Sequence, residues 1–292
     1  MTSPRQTGSA TGEWSDVTRL PLRARRPTVA RRAVLDVDVV LVSRCGRDRV
    51  LACLNSLAVG VDGAVQSVTV VDNGSNDGTC EAVASRGDGT RVLDMGFDAG
   101  MATAANAGMA RGRGKYILIL DQDTSLAPGS VRSLVEFADR HPHVGAVAPR
   151  LLTGEAPPSA SGASDQPEFE VDWVPAQAML VPRAVHAATA GFDESYFSSW
   201  ADRDWCRRIK AAGYSVWCLP SATAVHQDPP PPTDRSERRA MARSFYAGAY
   251  RYCLQHDGRS RWHPWRWTQV LPLAVRGRLA VSAMRPPPTI WH

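Results

Sequence analysis

The stretch Tyr116-Ile-Leu-Ile-Leu-Asp-Gln-Asp-Thr124 is an apolar run that ends in two carboxylates one residue apart. Such a run is typical of a strand buried on both faces of a mostly parallel sheet. Ligands of these sheets bind beyond the carboxyl ends of the strands, which places the acid pair at the mouth of a site. Because side chains at i and i+2 of an extended segment point the same way, Asp121 and Asp123 can converge on one Mg²⁺ or Mn²⁺ ion. The Asp-x-Asp pattern alone is weak evidence, since acids follow many strands by chance.

Strand and helix patterns alternate on both sides of this stretch. A turn-forming segment at 72–79 leads from the second strand into a helix capped near Asp77 or Thr79. A Pro/Ser/Gly-rich segment at 153–168 predicts a surface loop. The alternation predicts an α/β fold with a mostly parallel central sheet and helices on both faces. The predicted strands are 37–43, 68–71, 91–93, 116–120, 144–148, 173–181 and 214–219, and the other predicted helices are 47–57, 101–111, 128–140, 202–212 and 235–255.

The composition is that of an ordinary globular protein. The 292 residues suffice for one large domain or two small ones, and 43% hydrophobic with 22% charged residues is typical of soluble chains. Six scattered cysteines form no C-x-x-C pair, which predicts reduced thiols in the cytoplasm. No secretory signal is expected, and no apolar run reaches the roughly 18 residues that span a bilayer. Any membrane contact is therefore predicted to be peripheral.

Charge divides the chain into three parts. Residues 1–33 contain seven Arg and two acids (+5), residues 235–292 contain eleven Arg and two acids (+9), and the part between carries −9. An acidic body argues against nucleic acid as a partner and fits a site that holds a cation. We expect a disordered basic tail at 1–33. The main domain is predicted at 34–230, and a helical, Arg- and Trp-rich extension at 231–292 follows the proline run 229–232.

The C-terminal extension mixes Trp262, Trp265 and Trp267 with several Arg residues. Aromatic and basic residues together are typical of a helix that lies in a membrane interface. A packed terminal helix that happens to be rich in Arg has the same composition. Both interpretations stay open, and the first would bring the protein to the inner face of the cytoplasmic membrane.

Four blocks of the sequence, in this order and spacing, resemble the family 2 inverting glycosyltransferases. Within that family the chain looks most like the rhamnosyltransferase branch, whose members often carry a Leu-Asp-Gln-Asp block. The resemblance covers about residues 37–228. It implies a GT-A fold, which is Rossmann-like, a nucleotide-sugar donor, a hydroxyl acceptor and a divalent cation. The blocks are Val-Asp-Asn-Gly-Ser-Asn-Asp-Gly-Thr at 71–79, Leu-Asp-Gln-Asp at 120–123, Gly-Phe-Asp-Glu-Ser-Tyr-Phe at 191–197 with Asp-Arg-Asp-Trp-Cys at 202–206, and His226.

The resemblance implies residues for nucleotide-sugar binding at the ends of three strands. Asp72 would accept a hydrogen bond from the imide of uracil or thymine, with Asn73 beside it. Ser43 would line the base pocket. Asp121 would hold the ribose or a metal-bound water, with Gln122 next to it. The alternative for the segment at 72–74 is a plain tight turn.

The resemblance also implies a metal site. Asp123 would bind the cation, His226 would be a second protein ligand, and Asp121 would lie beside them. Carboxylate, imidazole and diphosphate oxygens together suit Mn²⁺ or Mg²⁺. The alternative for His226 is a capping or surface histidine.

By the same resemblance, Asp202 is the catalytic base that removes the proton of the acceptor hydroxyl during inversion. Ala201 stands where the family usually has Glu, so one carboxylate of the family's pair is missing. The alternative for Asp202 is a simple cap of the helix that it begins.

Three tryptophans and an ion pair are expected near the acceptor. Trp173, Trp200 and Trp205 are predicted to stack on a sugar or a lipid acceptor. Asp204 is predicted to support the site from behind, paired with Arg208.

Together these features predict a metal-dependent inverting glycosyltransferase with a uridine or thymidine diphosphate donor. The resemblance alone favours dTDP-rhamnose as the donor, and the expected acceptor is a lipid-linked cell-envelope glycan or a secondary metabolite. Two other classes remain. Ala201 and the loop after the first strand, Arg44-Cys-Gly-Arg47, where the family commonly has Asn-Arg, allow a nucleotide-sugar-binding protein without transfer activity. A dinucleotide-dependent oxidoreductase is disfavoured because no G-x-G-x-x-G follows the first strand.

Overall fold

The computed structural model describes residues 34–60, 64–154, 166–227 and 234–256, which belong to one compact unit. The predictions for the tail at 1–33, the proline run 229–232 and the part of the extension from residue 257 onward, with its three tryptophans, lie outside these residues. Most of the loop predicted at 153–168 lies outside them as well.

The described chain folds into nine strands and seven helices. The strands are β1 Val34–Ser43, β2 Ala64–Asp72, β3 Arg91–Asp94, β4 Tyr116–Asp121, β5 Thr124–Leu126, β6 Val144–Thr153, β7 Phe169–Glu170, β8 Ala178–Pro182 and β9 Ser215–His226. The helices are α1 Arg47–Gly60, α2 Thr79–Ala84, α3 Met101–Met109, α4 Ser130–Arg140, α5 Arg183–Thr189, α6 Ala201–Ala211 and α7 Arg235–His256.

All nine strands form one sheet with the order β3-β2-β1-β4-β8-β6-β9-β5, and β7 pairs with β9 at its side. The strands β3, β2, β1 and β4 are parallel to one another, as the β-α alternation predicts. Beyond β4 the sheet is mixed, because β8 runs antiparallel to both of its neighbours while β6 and β9 are parallel. The carboxyl ends of β1, β2 and β4 therefore meet at one edge.

Helices cover both faces of the sheet, as predicted. One hydrophobic core contains the apolar faces of α1 and α4 against the sheet. The other core lies on the opposite face and contains α3 and α6. Tyr116–Leu120 of β4 is buried along its whole length, because alternate side chains enter one core and then the other.

A buried carboxylate clamps the start of the sheet. Asp38 of β1 is buried, and it accepts hydrogen bonds from Ser67 Oγ at 2.5 Å and from the Gly114 amide at 2.5 Å. Its Oδ2 also lies 2.7 Å from Nη2 of Arg183, whose Nε donates to the Gly114 carbonyl. One carboxylate thus joins β1, β2, the turn before β4 and the start of α5. The sequence analysis did not predict this clamp, which sits inside an otherwise apolar strand.

The last strand runs farther than predicted. The prediction ended at Leu219, and the residue that follows is Pro220, a residue type that normally ends pairing inside a sheet. In the structure the pairing of β9 with β6 breaks after Leu219 and resumes at Thr223, so Pro220 falls in a bulge. The strand then continues to His226. The strand predicted at 173–181 begins only at Ala178, as β8, and the short elements β5, β7 and α5 were missed.

The predicted helix at 235–255 is confirmed as α7, and it packs on the segment 193–204. Arg251 and Gln255 bind the carboxylate of Asp193, and the ring of Trp200 lies 5.4 Å from that of Tyr252. This part of the extension is thus a packed helix, whereas the two interpretations of the Arg- and Trp-rich part concern residues outside the described ones. No helix in the described part of the chain is long and apolar enough to cross a membrane.

Candidate active site

A cavity of about 850 Å³ opens at the carboxyl ends of β1 and β4. The segment 197–203 and one side of α7 close it from the opposite direction. The sequence-predicted residues in its lining are Ser43, Asn73, Asp121, Gln122, Trp173, Trp200, Asp202 and His226. Asp72, Asp123, Asp204 and Arg208 do not line it. The cavity therefore brings together residues that lie more than 180 positions apart in sequence.

Strand register places His226 beside the acid pair. Because β5 follows Asp123 at once and pairs antiparallel with β9, Thr124 lies directly opposite His226. Each of Asp121, Asp123 and His226 offers one ligand atom, and these atoms lie within 4.8 Å of one another. Nε2 of His226 is 3.7 Å from Oδ2 of Asp121. Two carboxylates and an imidazole at this separation are a donor set that suits Mn²⁺ or Mg²⁺.

Asp123 and His226 are the buried members of this group, and an arginine of the protein accompanies Asp123. Its Oδ1 lies 2.8 Å from Nη1 of Arg49 in α1 but accepts no well-directed hydrogen bond from the described residues. Burial raises the pKa of Asp123, the nearby charge of Asp121 raises it further, and Arg49 and His226 oppose the rise. A buried carboxylate oxygen without a hydrogen bond is consistent with a cation ligand. Arg49 was not predicted, because nothing in a helix following a first strand marks one arginine.

Gln122 fastens the loop between β1 and α1. Its Oε1 accepts hydrogen bonds from Ser43 Oγ at 3.0 Å and from the Arg44 amide at 2.9 Å, and its Nε2 donates to the Arg44 carbonyl. A Cβ at Gly46 would stand 2.5 Å from the same amide group. The side chains of Ser43 and Gln122 are thus bound to each other at the cavity wall, and they shape the pocket predicted to hold the nucleotide.

Asp72 ends β2 and begins the predicted turn. Its Oδ1 accepts a hydrogen bond from the Ser75 amide at 2.7 Å, which is the contact of a plain turn. The side chain is buried, and its Oδ2 accepts no hydrogen bond from the described residues. Asn73 does line the cavity, and its amide group binds Asp98 and the backbone of Ala99. Turn formation and a pocket contact are thus both features of this segment.

Asp202 lies in the first turn of α6 and faces the cavity. Its Oδ1 accepts a hydrogen bond from the Arg203 amide at 2.9 Å. Burial raises the pKa of Asp202, and the backbone hydrogen bonds of Arg203 and Ala176 partly offset the rise. A carboxylate with a raised pKa at a cavity wall is suited to accept a proton. The preceding residue is Ala201, which is fully buried. Because alanine has no carboxylate, Asp202 has no acidic neighbour at that position.

Two of the three tryptophans line the cavity, and the third does not. The guanidinium of Arg203 lies 4.0 Å from the ring centroid of Trp173 and 5.0 Å from that of Trp200. Trp205 is fully buried, and its Nε1 donates to Thr189 Oγ1 at 2.8 Å. The prediction that Trp205 stacks on an acceptor is therefore wrong, because its ring belongs to the core between α5 and α6.

Asp204 and Arg208 support α6 from behind the cavity. The predicted pair is confirmed, with Arg208 Nε 2.8 Å from Asp204 Oδ2. His256 Nε2 lies 2.6 Å from the other oxygen of Asp204. Arg208 also donates to the carbonyls of Thr189 and Gly191. These contacts tie α6 to the turn after α5 and to the end of α7.

Comparison with known proteins agrees with this architecture. Residues 38–180 match the family Glycosyl transferase family 2. An N-acetylglucosaminyl-diphospho-decaprenol L-rhamnosyltransferase of Mycobacterium tuberculosis is 29% identical over 274 residues, which cover 79% of this chain and 88% of the relative.

Two solved structures share the fold at low sequence identity. The mannosyltransferase of Pyrobaculum calidifontis in complex with GDP-Man and Mn²⁺ has a TM-score of 0.60 and 17% identity, over 88% of this chain and 77% of the other. GalNAc-T7 with UDP, GalNAc and Mn²⁺ has a TM-score of 0.61 and 10% identity, over 84% of this chain and 55% of the other. These matches confirm the predicted GT-A fold. The chain is a glycosyltransferase, and it is similar to glycosyl transferase family 2 over residues 38–180 and to the mycobacterial rhamnosyltransferase over 79% of its length.

Proposed function

We propose that the protein is a cation-dependent inverting glycosyltransferase that uses a uridine or thymidine diphosphate sugar. dTDP-rhamnose is the favoured donor, and a hydroxyl of a lipid-linked glycan is the favoured acceptor. The observation that carries the proposal is a single cavity with Asp121 and His226 on one wall and Asp202 on another. The relative in Mycobacterium tuberculosis supports the sugar and the class of acceptor.

Asp121, Asp123 and His226 fit a divalent cation by their separation and their chemistry. The two solved neighbours named above were determined with Mn²⁺, which supports the same class of ion here. A cation bound there supplies positive charge that stabilises the leaving nucleoside diphosphate. Ser43, Asn73 and Gln122 line the side of the cavity proposed for the base and ribose, and Asp72, which precedes Asn73, does not line it.

Asp202 performs the proton transfer in this proposal. The acceptor oxygen attacks the anomeric carbon, the bond from that carbon to the diphosphate breaks, and the hydroxyl proton moves to the carboxylate of Asp202. The raised pKa brings this carboxylate closer to the working pH, which improves a general base. The position of Asp202 in the first turn of α6 stabilises the ionised form that must be present before attack.

Helix α7 of the extension lines the side of the cavity that we propose for the acceptor. Met241, Ser244 and Phe245 of α7 belong to the lining, together with Glu237. The boundary of the catalytic domain near residue 230 remains a proposal, as does peripheral contact with the inner face of the membrane. The +9 charge of residues 235–292 supports the membrane contact.

A panel of nucleotide sugars tests the donor and the cation together. We expect dTDP- or UDP-sugars to raise the unfolding temperature in the presence of Mn²⁺, with little effect after EDTA treatment. Asp123→Ala is expected to abolish the stabilisation, because it removes the buried oxygen ligand. Asp172→Ala, which alters an exposed carboxylate, is the matched control. Equal stabilisation with and without EDTA would count against the metal site.

Arg49→Gln is expected to tighten Mn²⁺ binding by about threefold or more, because a guanidinium next to a ligand oxygen repels a second cation. Free Mn²⁺ measured by electron paramagnetic resonance gives the affinity without any turnover. Arg47→Gln, at an exposed position of the same helix, serves as control. Weaker Mn²⁺ binding in the Arg49 variant would mean that this arginine organises the site instead of competing for it.

A nucleotide-sugar-binding protein without transfer activity is the second candidate. Buried Ala201 in place of a carboxylate motivates it, since the base then lacks its usual neighbour. Release of nucleoside diphosphate distinguishes the two functions, because a pure binding protein releases none. The oxidoreductase alternative fails, since the family and the fold are those of glycosyltransferases.

A further inference from the structure

One guanidinium in the cavity wall forms no ion pair within the described part of the chain, although its charge partly offsets the rise that burial causes in the pKa of the neighbouring Asp202. Arg203 lines the cavity, and among the described residues no carboxylate lies within ion-pair distance of it. Arg44, which lines the same cavity, differs because its Nε is 3.0 Å from Asp98. Arg203 instead lies over two indole rings, at 4.0 Å from the centroid of Trp173 and 5.0 Å from that of Trp200.

This arrangement fixes the guanidinium without using its hydrogen bonds. The aromatic contacts hold the face of the group by cation–π attraction, while the N–H donors lie in its plane. A planar fork with free donors matches two oxygens of a phosphate. The indole faces next to Arg203 are covered, so this wall offers a cation where the sequence alone predicted sugar stacking. The wall therefore favours an oxyanion.

The backbone holds one of these rings in place at a cost. Trp200 has a φ of 77°, in the left-handed region of backbone conformation that residues other than glycine rarely adopt. Its ring packs on those of Phe245 and Tyr252 of α7, and Gly248 approaches it closely enough that a Cβ would stand 2.9 Å from the indole. A strained conformation persists only where the surrounding structure enforces it. Both α6 and α7 thus position the ring under Arg203.

We propose that Arg203, held by Trp173 and Trp200, binds a phosphate group of the acceptor substrate. This inference rests on the proposed function, and it narrows the acceptor to a phosphate- or diphosphate-bearing one. Arg203 follows Asp202, the proposed base, so the group that it binds belongs to the molecule whose hydroxyl meets that base. The donor diphosphate is served by the cation site on another wall. The first turn of α6, an eleven-residue helix, adds its positive end to the charge of Arg203.

Two acceptors that differ only in the phosphates test this proposal. One carries a sugar on a short isoprenyl diphosphate, and the other carries the same sugar as an alkyl glycoside of similar length. Arg203→Gln is expected to raise KM for the diphosphate acceptor about tenfold or more, and to leave KM for the glycoside nearly unchanged. Arg203→Lys, which keeps the charge without the fork, is expected to fall between. Arg207→Gln is the matched control, since Arg207 lies in the same helix and donates to the His256 carbonyl.

The other outcomes each overturn the proposal. An equal change for both acceptors would assign Arg203 to the support of Asp202 or of the fold, and no change would remove its role. Binding of dTDP with Mn²⁺, measured by calorimetry, is expected to be the same in wild type and both Arg203 variants. A tenfold loss in the variants would mean that the bound phosphate is the donor's. If wild-type protein binds no nucleoside diphosphate, the proposed function itself fails, which is a different result.

Discussion

Asp202→Asn is expected to lower kcat by about 10²- to 10⁴-fold, the usual contribution of a general base. The asparagine side chain has nearly the same shape as the carboxylate, and its oxygen can still accept the hydrogen bond from the backbone N–H of Arg203. It cannot take up the proton of the acceptor hydroxyl. Donor affinity and unfolding temperature are expected to change little, because Asp202 is in no ion pair among the described residues. Release of nucleoside diphosphate gives kcat, and thermal shift gives the other two quantities.

The pH profile and a neighbouring residue sharpen this test. Because burial raises the pKa of Asp202, wild-type kcat/KM is expected to fall as the pH decreases through that raised value. The variant is expected to lose this acid limb. Asp204→Asn, in the same helical turn, is the contrasting control, since Asp204 pairs with Arg208 and His256 away from the cavity. It is expected to lower the unfolding temperature. Wild-type kcat in Asp202→Asn would exclude it as the base.

Asp38→Ala is expected to lower the free energy of unfolding by about 3–5 kcal/mol, the range for removing one partner of a buried ion pair. The substitution leaves Arg183 without its carboxylate and the Gly114 amide without its acceptor. Urea unfolding followed by circular dichroism measures the change. Asp36→Ala, an exposed position two residues earlier in the same strand, is expected to change it by less than about 0.5 kcal/mol.

A milder substitution at the same position gives a result even if Asp38→Ala does not fold. Asp38→Asn keeps one oxygen, which can accept a hydrogen bond from Ser67 or from the Gly114 amide but not from both, and it removes the charge that faces Arg183. It is expected to lose less stability than Asp38→Ala. If both variants unfold like the wild type, the four-way contact does not stabilise the sheet.

Local patterns were enough to predict the first half of the fold. An apolar run such as residues 116–120 has few alternatives to a buried strand, and helix spacing at 47–57 leaves one face for the core. The antiparallel strand β8 and the short β5 could not be predicted in the same way. Their direction depends on pairing with strands far away in sequence, which no local pattern records.

The candidate site divides along the same line. Asp121 carried a signal of its own, because it ends a buried strand at the predicted edge of the sheet, whereas Asp202 and His226 were identified by the family resemblance. The contacts that hold these residues in place left no signal in the sequence. Gln122 binds Ser43 across 79 positions, and Arg49 of α1 pairs with Asp123, which lies after β4. Trp205 was misassigned because an aromatic residue in an acid-rich segment looks the same whether its ring faces a pocket or the core.

The guanidinium of Arg49 beside Asp123 has a consequence for how the protein is made. In a newly synthesised chain, Arg49 supplies a positive charge for the buried carboxylate of Asp123. The sheet can therefore form before any metal ion binds. Zinc fingers behave in the opposite way, because they remain unfolded as apoproteins. If the proposed cation site is correct, a metal ion would be able to arrive with each donor molecule and to leave with the spent nucleotide.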